Sequence, residues 1–288
     1  MLPDWLDTSV YPFAPKWFHI PAGEMSYVDE GQGDAFVFVH GNPSWSFEHR
    51  ELIQHFSEQY RCVSADHIGF GLSDKPADWT YLPADHASNL ESLLESLDLH
   101  NITMIVDDWG GPIGLSYAIR HPERIQNIII TNTWFWSVKH DWYYQLFSKI
   151  MGGFIGRFLI KRFNFFVNGV LPMIFADRKR FRRELQRYYQ LPLADPGQRK
   201  GCYTLPWEII GSSDWLASLW DRREALQGKV KLIAWGTKDI AFRKKERETF
   251  AKAFPDAPVV IFEDAGHFVA EEQPEKLIDA IERHVLNT

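Results

Sequence analysis

Four short stretches carry side chains able to do chemistry, and each follows an apolar run. They are His40-Gly41-Asn42-Pro43, Asp108-Trp109, Gly236-Thr237-Lys238-Asp239 and Asp264-Ala265-Gly266-His267-Phe268. The second is the most telling. Ile102–Val106 is largely β-branched and stops at Asp107-Asp108-Trp109-Gly110-Gly111-Pro112. That pattern reads as a buried strand, a tight turn and a helix start, with Asp108 on the turn. An Asp there can cap the helix. Its carboxylate can equally be a nucleophile that attacks saturated carbon and forms a covalent ester. On this stretch alone the two readings weigh the same. His267 has the chemistry of a general base, and Asp239 that of the acid that orients it. Each also has a plainer reading, His267 as a structural histidine and Asp239 as a turn residue beside Lys238.

Such residues act together only if a scaffold gathers them. Eight strands are expected: Trp17–Ile20, Glu24–Asp29, Ala35–Val39, Arg61–Ala65, Ile102–Val106, Ile125–Thr131, Lys231–Trp235 and Val259–Phe262. Helices are expected near Ser46–Gln59, Pro83–Leu97, Pro112–Arg120, Lys244–Phe254 and Pro274–Val285, the second with Leu90, Leu93, Leu94 and Leu97 at helical spacing. Alternation of strand and helix implies an α/β fold, a mostly parallel eight-stranded sheet flanked by helices. The rhythm breaks between 134 and 228, where aromatic-rich helical segments replace strands. Residues 1–133 and 229–288 are therefore expected to form a main domain, with 134–228 an inserted helical cap. Residues 1–16 read as an extended arm packed on the surface.

In parallel sheets, functional atoms lie on loops beyond the C-terminal strand ends. The four stretches fall at four such ends, in the order nucleophile, acid, histidine that α/β-hydrolases use. Their joint occurrence favours a triad of Asp108, His267 and Asp239 over four unrelated turns.

Composition bounds the remaining classes. The 288 residues are 45% hydrophobic and 24% charged, an ordinary globular mix. Aromatics reach 15%, with 12 Trp and 21 Phe, which suggests an aromatic-lined cavity. Net charge is −7, unevenly spread: 137–227 holds 15 basic and 8 acidic residues, the remainder 16 and 30. Arg178, Lys179, Arg180, Arg182, Arg183 and Arg187 fit a solvated helix face or charge matching within the protein better than a nucleic-acid surface. Cys62 and Cys202 have no metal or redox spacing and read as reduced thiols. The first residues lack the basic and apolar regions of a signal peptide, so a cytoplasmic location is expected. The stretch 150–175 is interrupted by Arg157, Lys161 and Arg162 and is too charged to span a bilayer; it reads as amphipathic helix over a cavity.

The chain resembles the haloalkane dehalogenases, a family of α/β-hydrolases, from the N-terminal arm to the last helix. The motifs that carry the resemblance are His40-Gly-Asn-Pro-Ser-Trp-Ser46, Gly69-Phe-Gly-Leu-Ser-Asp74, Asp108-Trp-Gly-Gly-Pro112, Thr131-Asn-Thr-Trp-Phe-Trp136, Trp235-Gly-Thr-Lys-Asp239 and Ala265-Gly-His-Phe268. The resemblance implies a hydrolase acting on carbon–halide bonds (EC 3.8.1.5) without a cofactor or metal. Asp108 would displace halide and His267 would activate water against the resulting ester. Asn42 and Trp109 would bind the halide through their side chains and form the oxyanion hole through their backbone N–H groups. The strand end Thr131-Asn132-Thr133 carries no carboxylate, so the acid falls to Asp239, as in the third subfamily. Two departures stand out: Val106 replaces a usual Gly, and Asp107 replaces a frequent Gln or His. Strand alternation should turn Asp107 away from Asp108.

Trp134, Phe135, Trp136, Trp142, Tyr143, Tyr144, Phe147, Phe165 and Phe166 are candidates for the cavity wall, about half of them expected to be ordinary core. The implied partners are a small halogenated aliphatic substrate, water and halide ion, with no nucleic acid and no membrane; a homo-oligomer is compatible. Two rival readings remain. An epoxide hydrolase uses the same Asp-His-Asp set with lid tyrosines, for which Tyr143, Tyr144, Tyr188, Tyr189 and Tyr203 are available. A ligand-binding homologue with little turnover is the other.

Overall fold

The computed structural model describes residues 3–287, so the first two positions of the expected arm lie outside the described residues. Eight strands form one sheet: β1 (Lys16–Ile20), β2 (Gly23–Glu30), β3 (Ala35–Val39), β4 (Arg61–Ala65), β5 (Ile102–Asp108), β6 (Ile125–Thr133), β7 (Val230–Gly236) and β8 (Val259–Phe262). Their spatial order is β1-β2-β4-β3-β5-β6-β7-β8. β1 and β2 pair antiparallel, as do β2 and β4; every other neighbouring pair is parallel. All five residues of β3 are buried, because β4 and β5 flank it and helices cover both faces.

Around the sheet lie α1 (Arg50–Phe56), α2 (Pro83–Ser96) and α3 (Gly110–Arg120), with Lys244–Ala253 and Pro274–Ile281 near the C-terminus. The expected helix at 46–59 is broken: Ser46–His49 is a 3-10 turn, and α1 takes over only at Arg50. The last helix likewise gives way at Glu282–Leu286 to a π-turn. The N-terminal arm is turned rather than extended. Leu6, Tyr11 and Phe13 are buried, and the Tyr11 hydroxyl lies 2.6 Å from Ser46 Oγ. Apolar contacts, not strand pairing, therefore fix its path.

No strand interrupts 134–228 among the described residues. α4 (Trp142–Gly152) and α5 (Phe154–Phe163) lead into short helical turns, followed by Lys200–Gly211 and Ser213–Asp221. Asp141 caps α4 by accepting from the Tyr143 amide at 3.0 Å, and Asn164 ends α5 in the left-handed conformation at φ 49°. Tyr189 ties this segment to the sheet's flank through Glu271. The Arg50 guanidinium grips buried Glu271 at 2.6 and 2.7 Å, and Tyr189 donates to the same carboxylate.

Candidate active site

β5 extends to Asp108, two residues beyond the expected strand end, and α3 starts at Gly110. Between them the backbone reverses on a residue with φ 44° at Asp108, a left-handed conformation that disfavours any side chain but glycine. The surrounding glycines permit the turn. A Cβ on Gly110 would stand 1.8 Å from the Val39 carbonyl oxygen, and one on Gly41 would stand 2.2 Å from Asp108 Oδ1. Thr133 Oγ1 holds the Asp108 carbonyl from β6. The Asp108 carboxylate does not cap α3; its Oδ1 instead accepts from the Asn42 backbone N–H at 2.7 Å. Val106 is accommodated by Gly114, where a Cβ would stand 2.8 Å from Val106 Cγ1.

Three strand ends converge on this elbow. His267 Nε2 lies 3.6 Å from Asp108 Oδ2, and its Nδ1 lies 2.8 Å from Asp239 Oδ2. The imidazole is buried, and burial alone would depress its pKa. The Asp239 charge and the hydrogen bonds to Asp108 and Asp239 outweigh that and hold it well above the ordinary histidine value. Asp239 has no bond to Lys238, which faces Asp264 at 3.3 Å. Its Oδ1 accepts from the Ala241 amide at 2.6 Å, and its Oδ2 also accepts from Asn132 Nδ2 at 2.8 Å. Asn132 is doubly anchored to Gly236, donating to its carbonyl at 3.1 Å and accepting from its amide at 2.8 Å. It occupies the strand end noted for lacking a carboxylate, and there it orients the acid from β7's loop. Its role is absent from the sequence reading; an Asn at the end of a strand, beside the expected acid, was the available signal.

Asp108, His267, Asn42 and Trp109 share the floor of an apolar cavity of about 400 Å³. Among the described residues, no protein acceptor takes the Asn42 side-chain amide or the Trp109 indole N–H, although both residues are buried. Two uncharged donors thus stand beside a carboxylate in apolar surroundings. Five of the nine expected aromatics line the wall: Tyr143, Tyr144, Phe147, Phe165 and Phe166. Trp134 packs edge-on against Trp109 at 4.7 Å, Phe135 sits in the core, and Trp136 and Trp142 lie at a different surface hollow. Three of the five candidate tyrosines have their hydroxyls otherwise engaged. Tyr143 donates to the Ile240 carbonyl, Tyr144 to that of Ala241 at 3.3 Å and Tyr189 to Glu271 at 3.1 Å. Tyr188 stacks on Phe47 at 4.5 Å, and Tyr203 lies outside the cavity wall.

Three further acidic residues back the site. Asp107 turns away from the cavity, as alternation requires, and faces His49 Nε2 at 3.2 Å with Glu48 beside them. All three are buried, and burial, reinforced by the Asp107 charge, pushes the Glu48 carboxyl well above the usual range. Glu272 clamps the histidine loop to the helical segment: its Oε1 accepts from Gly266 N at 2.7 Å and its Oε2 from Ala176 N at 2.7 Å. The His267 amide donates across the same seam to the Ile174 carbonyl at 2.9 Å. Neither glutamate carries a motif that sequence reading could isolate.

A family model described as alpha/beta hydrolase fold matches residues 34–274. The chain is 33% identical over 277 residues to haloalkane dehalogenase 2 of Mycobacterium tuberculosis, covering 96% of each chain. It is similarly 32% identical to a cis-3-alkyl-4-alkyloxetan-2-one decarboxylase of Shewanella oneidensis, covering 98% of this chain and 91% of that one. Among solved structures, a haloalkane dehalogenase from Bradyrhizobium elkani USDA94 superposes with a TM-score of 0.82 at 23% identity, over 93% and 96% of the two chains. Another, from Agrobacterium tumefaciens C58, gives 0.80 at 24%, over 94% and 97%. The structural likenesses speak for the fold. With the family model matched from β3 to β8 and a curated relative aligned over nearly its whole length, the chain belongs to the haloalkane dehalogenase family of α/β-hydrolases.

Proposed function

We propose that the protein is a hydrolytic dehalogenase that converts small haloalkanes to alcohol and halide. The observation that carries this reading is the Asp108 carboxylate at the floor of an apolar cavity, between an imidazole and two uncharged N–H donors. Asp108 attacks the halogen-bearing carbon in line; a C–O bond forms, and the halide leaves with the C–X electron pair. The departing charge is met by the Trp109 indole N–H and the Asn42 amide, hydrogen bonds that strengthen as charge develops. Water then adds to the carboxyl carbon of the ester while His267 Nε2 takes its proton. The Asn42 backbone N–H, already on Asp108 Oδ1, and the Trp109 N–H receive the oxyanion. Collapse expels the alkoxide, which takes the proton held by His267 and leaves as alcohol, and the Asp108 carboxyl releases its remaining proton to solvent, restoring the carboxylate. Asp239 steadies the imidazolium through Nδ1.

In this reading residues 134–228 act as a cap over a main domain made of 1–133 and 229–288. A cavity of about 400 Å³ lies at the small end of ligand pockets, on the order of 300–1,000 Å³, which favours short chains. Epoxide opening is disfavoured, because the tyrosine hydroxyls that would activate the oxygen are spent on Ile240, Ala241 and Glu271. One observation favours a second reading: relatives at 32% and 33% identity are named for decarboxylation of a four-membered lactone. A parallel assay of halide release from 1-bromobutane, diol formation from an alkyl epoxide and CO₂ release from a cis-dialkyl oxetanone separates the three. Halide release alone is the expected result. CO₂ or diol without halide would overturn the proposal.

A further inference from the structure

The outer face of α4 and α5 is built unlike the rest of the surface. Phe154 is 87% exposed and Ile155 69%, with Trp142 and Phe158 also largely exposed. Soluble monomers rarely leave so many large apolar side chains together in water. α5 is apolar on both sides, since Gly156 and Ile160 are buried inward while Phe154, Ile155 and Phe158 point out. Hydrophobic-core packing accounts only for the inner side.

Charge narrows what can cover the outer side. The run 142–176 contains no Asp or Glu, whereas Lys149, Arg157, Lys161 and Arg162 all fall within it. Among the described residues none of these four cations has an acidic partner. Exposed aromatic and aliphatic side chains flanked on one short helix by cations that no carboxylate neutralises match an interfacial helix, whose apolar side chains sink among lipid headgroups while the cations meet anionic ones. The helix is too short and too charged to span a bilayer, and no described helix is long and apolar enough to do so.

The cavity mouth lies within this same face. Leu146 and Ile150 of α4 line the cavity yet are 51% and 53% exposed, so the opening is framed by the outward apolar side chains. From these observations we propose that the α4–α5 face docks on an anionic lipid surface, with the cavity mouth turned toward the bilayer. The proposal departs from the expectation from sequence that the protein has no membrane partner; it invokes no membrane span, and none of the described helices could form one. It does not depend on the reaction assigned above.

The test is flotation of the full chain with vesicles of phosphatidylcholine containing 30% phosphatidylglycerol, against phosphatidylcholine alone, at low salt and at 0.5 M NaCl. Binding to the anionic vesicles, weakened by salt, is expected. F154S/I155S should lower partitioning more than tenfold, and K161Q/R162Q by roughly 30-fold, from about 1 kcal/mol per surface cation. Circular dichroism and thermal melting check that both variants remain folded; each changes only exposed side chains outside the cavity wall. Absence of binding to anionic vesicles overturns the proposal, and so does unchanged binding by F154S/I155S. Light scattering of the same variant covers the other occupant: conversion of an oligomer to a monomer, with vesicle binding unchanged, would assign the face to a second copy of the chain.

Discussion

Replacing Asp239 by Asn probes the account where geometry gives a definite magnitude. The carboxylate holds His267 Nδ1 at 2.8 Å, and both side chains are almost wholly buried. Three donors converge on it: His267 Nδ1–H and Asn132 Nδ2 on one oxygen, and the Ala241 amide on the other. An Asn offers one acceptor and one NH₂, so in either orientation an N–H faces another donor. With the NH₂ toward His267, the imidazole must accept at Nδ1 and carry its proton on Nε2, the tautomer that cannot take a proton from water. Breaking a buried pair by removing one partner costs about 3–5 kcal/mol. At about 1.36 kcal/mol per decade, ester hydrolysis should slow by roughly 10²- to 10⁴-fold. Alkylation of Asp108 involves no proton transfer and should stay within a few-fold. Rapid-quench measurement with a bromoalkane should therefore give a burst of about one halide per enzyme and then a stall. Steady turnover within tenfold of the parent, or loss of the burst itself, would refute the assignment of Asp239 to the second step.

Four other outcomes follow from the same geometry. Because His267 is held well above the ordinary value, it is protonated over a wider range, so ester hydrolysis should rise with pH through a midpoint above about 6.5 while the halide burst stays flat. The linked stability has the opposite slope: the contribution of His267 is full below about pH 6.5 and is lost as pH rises through the folded value, so the denaturation gap between the parent and H267N should narrow. Trp109→Phe removes one donor to the leaving halide, worth about 1.5–3 kcal/mol, and should slow the burst roughly 10- to 100-fold, more for chloride than for iodide. Glu271→Gln leaves the Arg50 guanidinium buried beside a neutral amide, and urea denaturation should report a loss of about 3–5 kcal/mol.

What sequence could reveal follows from how local each determinant is. Ala35–Val39 and Val259–Phe262 are strands over the expected residues, because short β-branched or aromatic runs bounded by polar turns decide locally. The segment 46–59 failed for a non-local reason: Ser46 is pinned by Tyr11 and by Asp66, which accepts from its amide at 2.9 Å, and the helix starts only beyond them. The elbow was legible in outline, since glycines mark the close approach, but the left-handed Asp108 backbone depends on β3 and β6. Asn132 was not legible. Its meaning arises from contact with a residue 107 positions away, and alone it is a polar strand end. Glu272 is hidden likewise, since its two anchored amides belong to segments far apart in the chain. Of the aromatics, composition foretold a lined cavity, while the division between wall and core depended on packing that no periodicity encodes.

The central claim is that Asp108 becomes esterified and that His267 is needed only to undo it. The most direct measurement is the mass of the peptide containing Asp108 after H267N is incubated with a short 1-bromoalkane. The account predicts a stable gain of one alkyl group less one hydrogen on that peptide, with about one equivalent of halide released. An unmodified peptide, with halide released continuously or not at all, would contradict it.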